Sequence, residues 1–121
     1  MSKRRVVITG LGIVSPVGNT VTDAWANILA GKSGITRITR FDASAFASQI
    51  AGEVRDFDIT QYLSVKDARR MDIFIHYGMA AAIQAVKDAG LGDVANGSLD
   101  AERIGVHIGS GIGGLPMIED T

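Results

Sequence analysis

From Ile73 to Val86 the chain is apolar or small at nearly every position, and this stretch limits what the rest can be. Met71, Phe74, Ile75, Met79, Ala82, Ile83 and Val86 recur at helical spacing, which predicts an α-helix. Ile73, Tyr77, Ala80, Ala81 and Ala85 leave its other faces apolar or small as well. A helix of that kind needs cover on several sides. Ser64 as N-cap, Asp67 at its third position and Gly90 as stop predict that the helix fills the interval between them. A chain of 121 residues supplies little else to enclose it, so further polypeptide is expected around it. His76 and Gln84 interrupt the run, which falls short of a membrane span.

The flanking segments read as α/β. Arg5 to Ile8 is a short β-branched run and predicts a buried strand. It ends at Thr9-Gly10-Leu11-Gly12, after which Pro16 and Gly18 prevent an early helix. Val21 to Ala30 predicts a helix capped by Thr20 and closed by Gly31, with Val21, Ala24, Trp25, Ile28 and Leu29 on one face. Residues 32 to 63 are irregular, apart from a short strand expected in Ile50 to Arg55. Leu91 to Glu102 reads as a polar loop and Arg103 to Ile108 as a second strand, followed by a glycine corner and a helix beginning near Leu115. A strand–turn–helix unit leaves apolar surface that a neighbour must cover. The chain is therefore expected to be truncated.

Composition narrows the function classes. No cysteine is present, which excludes disulfides, thiolate nucleophiles and cysteine metal sites. A net charge of -1 gives no general attraction to nucleic acid or membrane. The basic start has no apolar stretch of signal-peptide length, so an intracellular, soluble protein is expected. Asn96-Gly97-Ser98 fits a glycosylation acceptor, read here as coincidence. No spacing suggests a metal site.

Three glycine motifs carry candidate chemistry. Gly31-Lys32-Ser33 resembles the end of a phosphate loop but follows a helix, with Ala26 where the leading glycine belongs, so Gly31 reads as a cap. Gly109-x-Gly111-x-x-Gly114 follows a predicted strand and matches a dinucleotide fingerprint, although its acidic partner would lie beyond Thr121. Gly10-x-Gly12-x-x-Ser15 is a near miss. Close backbone approach explains both corners equally. Ser110 lacks the glycine two places ahead that a nucleophile elbow needs. His76 and His107 read as core or interface histidines.

Lys66, Arg69 and Arg70 stand at i, i+3 and i+4, on one face of the predicted helix. In its first turns they oppose the macrodipole. The cluster is either a positive site for phosphate or an acidic helix, or a solvated face offset by Asp67 and Asp72. Charge alone does not choose.

Several of these segments together resemble a known family. Arg4-Arg5-Val6-Val7-Ile8-Thr9-Gly10-Leu11-Gly12, Ser15-Pro16-Val17-Gly18-Asn19, Leu29-Ala30-Gly31-Lys32-Ser33-Gly34-Ile35, Arg69-Arg70-Met71-Asp72 and Ile108-Gly109-Ser110-Gly111-Ile112-Gly113-Gly114 are similar, in order, to β-ketoacyl-acyl-carrier-protein synthases of the type II class. The resemblance implies the N-terminal portion of a thiolase-like α/β fold, with residues 1–121 a partial domain that stops before the nucleophile. It implies a decarboxylative Claisen condensation in fatty-acid elongation, a cytoplasmic homodimer, no bound redox cofactor, an acyl carrier protein as partner, and neither nucleic acid nor membrane insertion. Family members use a cysteine, two histidines and a lysine. None of these is placed here, since His76 and His107 do not match them, and no catalytic residue is assigned. The resemblance does place Lys66, Arg69 and Arg70 at carrier docking, and Gly111 and Ile112 at the floor of the acyl pocket, where Ile112 would gate chain length. Two other readings stay open: a dinucleotide-binding domain, and a stand-alone module that binds carrier protein through the basic cluster.

Overall fold

The computed structural model describes residues 3–92, 97 and 99–120. Asn96 and Ser98 of the sequon and part of the expected 91–102 loop lie outside those residues. Near the start, Pro16 and Val17 occupy the centre of a tight turn closed by Ser15 and Gly18, whose N–H groups each donate to the other's carbonyl at 3.0 and 3.2 Å. Proline presets the first central position of such a turn. Helix α1 (Val21–Leu29) follows as expected. The Thr20 hydroxyl accepts from the Asp23 N–H at 3.2 Å, and Gly31 leaves the helix at φ +70°.

The stretch 32–63 holds more structure than its composition suggested. Strand β1 (Ile35–Arg37) runs antiparallel to β2 (Ile50–Gly52), pairing Ile35 with Gly52, Thr36 with Ala51 and Arg37 with Ile50. Side chains pin this small sheet in place. The Glu53 carboxylate accepts from the Thr39 hydroxyl at 2.7 Å and from the Thr39 and Arg40 N–H groups at 3.1 and 3.3 Å. The Arg55 guanidinium donates to the Gly34 carbonyl at 3.1 Å and to the Thr36 hydroxyl at 2.6 Å.

One predicted helix is in fact two. Helix α2 (Val65–Ala68) has Ser64 as its cap, and α3 (Ile73–Asp88) starts afresh from Asp72. The break has a local cause. Asp72 adopts φ −71°, ψ 161° and its Oδ1 accepts from the Ile73 N–H at 2.7 Å. An aspartate in extended backbone that supplies its own cap competes with helix continuation. The far end behaves as expected, with Gly90 at φ +67°.

The N-terminal segment lies along α3. Leu11 N–H donates to the Asp88 carboxylate at 2.9 Å and Ile13 N–H to the Gln84 side-chain carbonyl at 3.2 Å. A Cβ on Gly12 would strike the Ala81 carbonyl and lie 2.8 Å from the Ala85 nitrogen. Only glycine lets the backbone come so close. From the opposite direction Arg40 donates to the Tyr77 hydroxyl at 2.8 Å, and the Phe57 ring packs edge-on to Tyr77 at 5.3 Å.

The two segments expected as buried strands are corrected here. Residues 5–8 and 104–108 have no ladder partner among the described residues, and Arg103 closes a 3₁₀ turn, Ala101–Arg103. Ile104 does hold a strand-like φ −114°, ψ 121°. Both segments are open to solvent, with Val6 at 93% and Val106 at 85% exposure, and His107 is exposed with them instead of lying in a core. A strand is defined by the neighbour it pairs with, and neither segment has one. Among the described residues the buried apolar core consists of Ala24, Ala43, Ala68 and Ala80, with no large side chain fully enclosed. Helix α4 (Leu115–Asp120) closes the described chain.

Candidate functional site

The basic cluster sits on a turn, not along one long helix. Lys66 belongs to α2, Arg69 is its C-cap, and the Arg70 N–H donates to the Asp67 carbonyl at 3.1 Å. All three cations are exposed. The dipole argument therefore reverses for the arginines, which stand at the C-terminal end of α2, where positive charge is favoured. Of the neighbouring acids, Asp67 stays exposed beside the cations while accepting a 2.8 Å hydrogen bond from the Ser64 hydroxyl, and Asp72 is turned inward, 8% exposed. The turn therefore shows solvent Lys66, Arg69 and Arg70 against the single carboxylate of Asp67.

Behind the turn, the His76 Nε2–H donates to the Ala68 carbonyl at 2.8 Å. A ring nitrogen facing a carbonyl must carry the proton. His76 is half-buried and serves as a brace between α3 and the end of α2.

The glycine corner meets the same end of α3. Ile112 takes φ +66°, with the Gly113 N–H bonded to the Gly111 carbonyl at 2.8 Å, while Gly113 and Gly114 stand at φ +58° and +69°. A β-branched residue in left-handed backbone is strained and persists only where its surroundings hold it. Phe74 provides part of that hold: a Cβ on Gly113 would lie 2.9 Å from its ring. Ile112 itself is 82% exposed. A cavity of about 360 Å³ opens beside the corner, lined by Phe74, Ile75, Gly78 and Met79 of α3 and by Ile108, Gly109 and Ser110. Its wall is apolar, and added Cβ atoms at Gly78, Gly109 and Gly111 would meet nothing within 4 Å. This arrangement can receive an alkyl chain but holds no nucleophile or base for bond making.

Elsewhere, a larger polar cavity of about 600 Å³ lies between the Ser15–Thr20 loop and Arg55–Asp56. Among the described residues, no group of three or more His, Asp or Glu gathers to hold a metal. No described helix is long and apolar enough to cross a membrane.

Lys66, Arg69 and Arg70 thus precede α3, and it is Gly113 and Gly114 that come up against its start at Phe74 and Asp72. Gly111 and Ile112 stand just ahead of that contact but do not line the cavity, and Ile112 faces solvent. Sequence reasoning missed Asp72, the residue between the two groups, although an aspartate just ahead of an apolar periodic run is a recognisable cap signal.

Comparison with known proteins agrees over nearly the full length. Residues 3–120 match the family described as "Beta-ketoacyl synthase, N-terminal domain". The chain is 58% identical over 119 residues to the 3-oxoacyl-[acyl-carrier-protein] synthase 2 of Vibrio harveyi, covering 98% of this chain and 28% of that protein. It is 52% identical over 120 residues to the namesake from Synechocystis, covering 99% of this chain and 28% of that one. The solved structure of the ishigamide ketosynthase/chain length factor superposes with a TM-score of 0.63 at 40% identity, over 74% of this chain and 22% of its own. The chain therefore spans about 28% of the length of the curated relatives it matches. The fold is α/β and forms part of the N-terminal half of a thiolase-like ketosynthase.

Proposed function

Because the chain belongs to the beta-ketoacyl synthase family through its N-terminal domain, we propose that it supplies carrier docking and part of the acyl pocket to a condensing enzyme of the 3-oxoacyl-[acyl-carrier-protein] synthase 2 kind. The reaction is decarboxylative: malonyl-carrier loses carbon dioxide, and the resulting carbanion attacks an enzyme-bound acyl thioester, lengthening the chain by two carbons. Residues 1–121 form a partial domain whose nucleophile, histidines and lysine come from other polypeptide. The whole enzyme works as a cytoplasmic homodimer. A dinucleotide role for Gly109 to Gly114 gives way to this reading, as does a stand-alone binding module, because the relatives are synthases.

One observation carries the proposal. An exposed cationic turn and an apolar cavity flank the same helix start, so a carrier docked on Lys66, Arg69 and Arg70 stands next to a place for its acyl chain. The acidic helix of a carrier complements the turn, since charge complementarity mainly sets encounter and register.

The test replaces the aligned stretch of the Vibrio harveyi enzyme with residues 3–120 and assays condensation of acyl- and malonyl-carrier. Active product formation is expected, whereas the 121-residue chain alone forms none. Reversing Arg69 and Arg70 to Glu raises the carrier KM roughly tenfold or more, at about 1 kcal/mol for each exposed pair, and flattens its salt dependence. An inactive graft refutes the function, and so does product from the isolated chain. An unchanged KM and salt profile refute the docking assignment.

A further inference from the structure

Asp72 is the charged residue in the buried set, and neither docking nor the pocket accounts for it. Its two carboxylate oxygens serve different helices. Oδ1 accepts from the Ile73 N–H at 2.7 Å, at the start of α3. Oδ2 accepts from the Met117 N–H at 3.4 Å, across 45 residues, in the first turn of α4. The same Oδ2 lies 3.4 Å from where a Cβ on Gly114 would stand. On its N-terminal side Asp72 follows Arg69-Arg70-Met71, and the Met71 N–H is tied back to the Ala68 carbonyl at 3.2 Å. The single carboxylate thus touches the element after the cationic turn and the element after the glycine corner.

We infer that Asp72 is a positioning residue that holds the pocket corner in register with the docking turn, so that acyl-chain-length selection depends on it while carrier affinity does not. The inference rests on the functional reading above and assigns Asp72 no contact with substrate. An ionised carboxylate offers acceptors on both oxygens, while a carboxamide offers one acceptor and two donors. Asp72→Asn can keep the Ile73 cap but sets an N–H group against the Met117 N–H. Freed at α4, the segment that follows Ile112, Gly113 and Gly114 at φ +66°, +58° and +69° loses a tether, and strained backbone relaxes once its surroundings release it.

The experiment uses the same graft and measures kcat and KM separately for carrier-borne acyl chains from short to long, with thermal melting alongside. Asp72→Asn should shift the long-to-short kcat ratio by about tenfold, a change of roughly 1.4 kcal/mol in barrier, with carrier KM within about twofold. Asp72→Ser keeps a hydroxyl acceptor as the N-cap of α3 but offers a single oxygen in place of the two that serve α3 and α4. It should shift the ratio in the same direction, and it decides the matter if Asp72→Asn does not fold. An unchanged ratio, or an equal loss of kcat at every chain length, overturns the inference. The outcomes separate cleanly. An inactive parent graft removes the functional reading and this one with it. Insensitivity to reversal of Arg69 and Arg70 removes docking alone, and a ratio shift in Asp72→Asn would then still establish its hold on the corner.

Discussion

Separating this stretch from the polypeptide that covers it should leave a loosely packed chain, and the size of the effect follows from surface area. The accessible surface is 9803 Å² for 12.7 kDa. A folded monomer of that mass exposes about 6,200 Å² by surface-to-mass scaling, so the excess is about 3,600 Å². Obligate interfaces bury roughly 2,000–5,000 Å² over both partners, about half of that on each, so the excess on this one chain is more than a single such interface covers. Much of it is apolar: Val6, Val7 and Ile8, Val106 and Ile108, and the outer faces of α1 and α4 are all exposed.

Trp25 is the single tryptophan and therefore a clean reporter. It is 59% exposed beside an apolar recess lined by Leu11, Ile13, Val21 and Ile28. The isolated chain should emit from a water-exposed indole, bind an apolar dye strongly and unfold with a broad transition. In the intact graft dye binding should fall, and unfolding should sharpen. Loss of fixed packing with retained helix content is the expected signature. An isolated chain that is monomeric, dye-silent and sharply cooperative would show that these residues enclose themselves, and the surface argument would be wrong.

Two further outcomes follow from local geometry. Gly12→Ala should lower the stability of the graft by about 3 kcal/mol, the upper part of the overpacking range, because the new methyl meets the backbone of α3 at Ala81 and Ala85. Gly109→Ala, with nothing within 4 Å, should change it little, and equal melting shifts for the two would contradict the packing. The Glu53 carboxyl is held below its usual range by hydrogen bonds from the Thr39 hydroxyl and then the Thr39 N–H. Its contribution is thus present above its ordinary unfolded value and lost as pH falls through the lowered folded one. Glu53→Gln should remove that part of the acid sensitivity, and parallel melting-versus-pH curves for the two proteins would refute it.

What could be read from the sequence depended on how far each interaction reaches along the chain. Helix α1 was legible from Thr20 to Gly31 because cap, apolar face and stop are all local. The β1–β2 pair was legible only in part: β2 lies within the strand expected in Ile50 to Arg55, but β1 did not show, since three residues on each side make the pair and its fixing bonds from Glu53 and Arg55 span 13 to 21 positions. The strands at 5–8 and 104–108 were overstated for the opposite reason. Their β-branched composition is real, but a ladder needs a second chain segment, and none of the described residues provides one.

The division of the long predicted helix shows why the site was half legible. Periodicity registers Met71 and Phe74 as neighbours on one face and passes over Asp72. Asp72 breaks the helix because its side chain satisfies the Ile73 N–H locally. That break changes the chemistry of the cluster. One continuous helix would carry Lys66, Arg69 and Arg70 as a stripe against its own dipole. With the break, Arg69 is the C-cap of α2 and Arg70 follows it, on the favourable side of that short helix's dipole, in a turn where Asp67 stays exposed and Asp72 is turned inward. The docking residues were therefore proposed on a scaffold drawn as one helix where the structure has two, and the residue that divides it also accepts from the Met117 N–H beyond the glycine corner. Recognition and chain-length selection, if they meet at the start of α3, meet through a side chain whose importance periodicity cannot register, because its partner at Met117 stands 45 residues away.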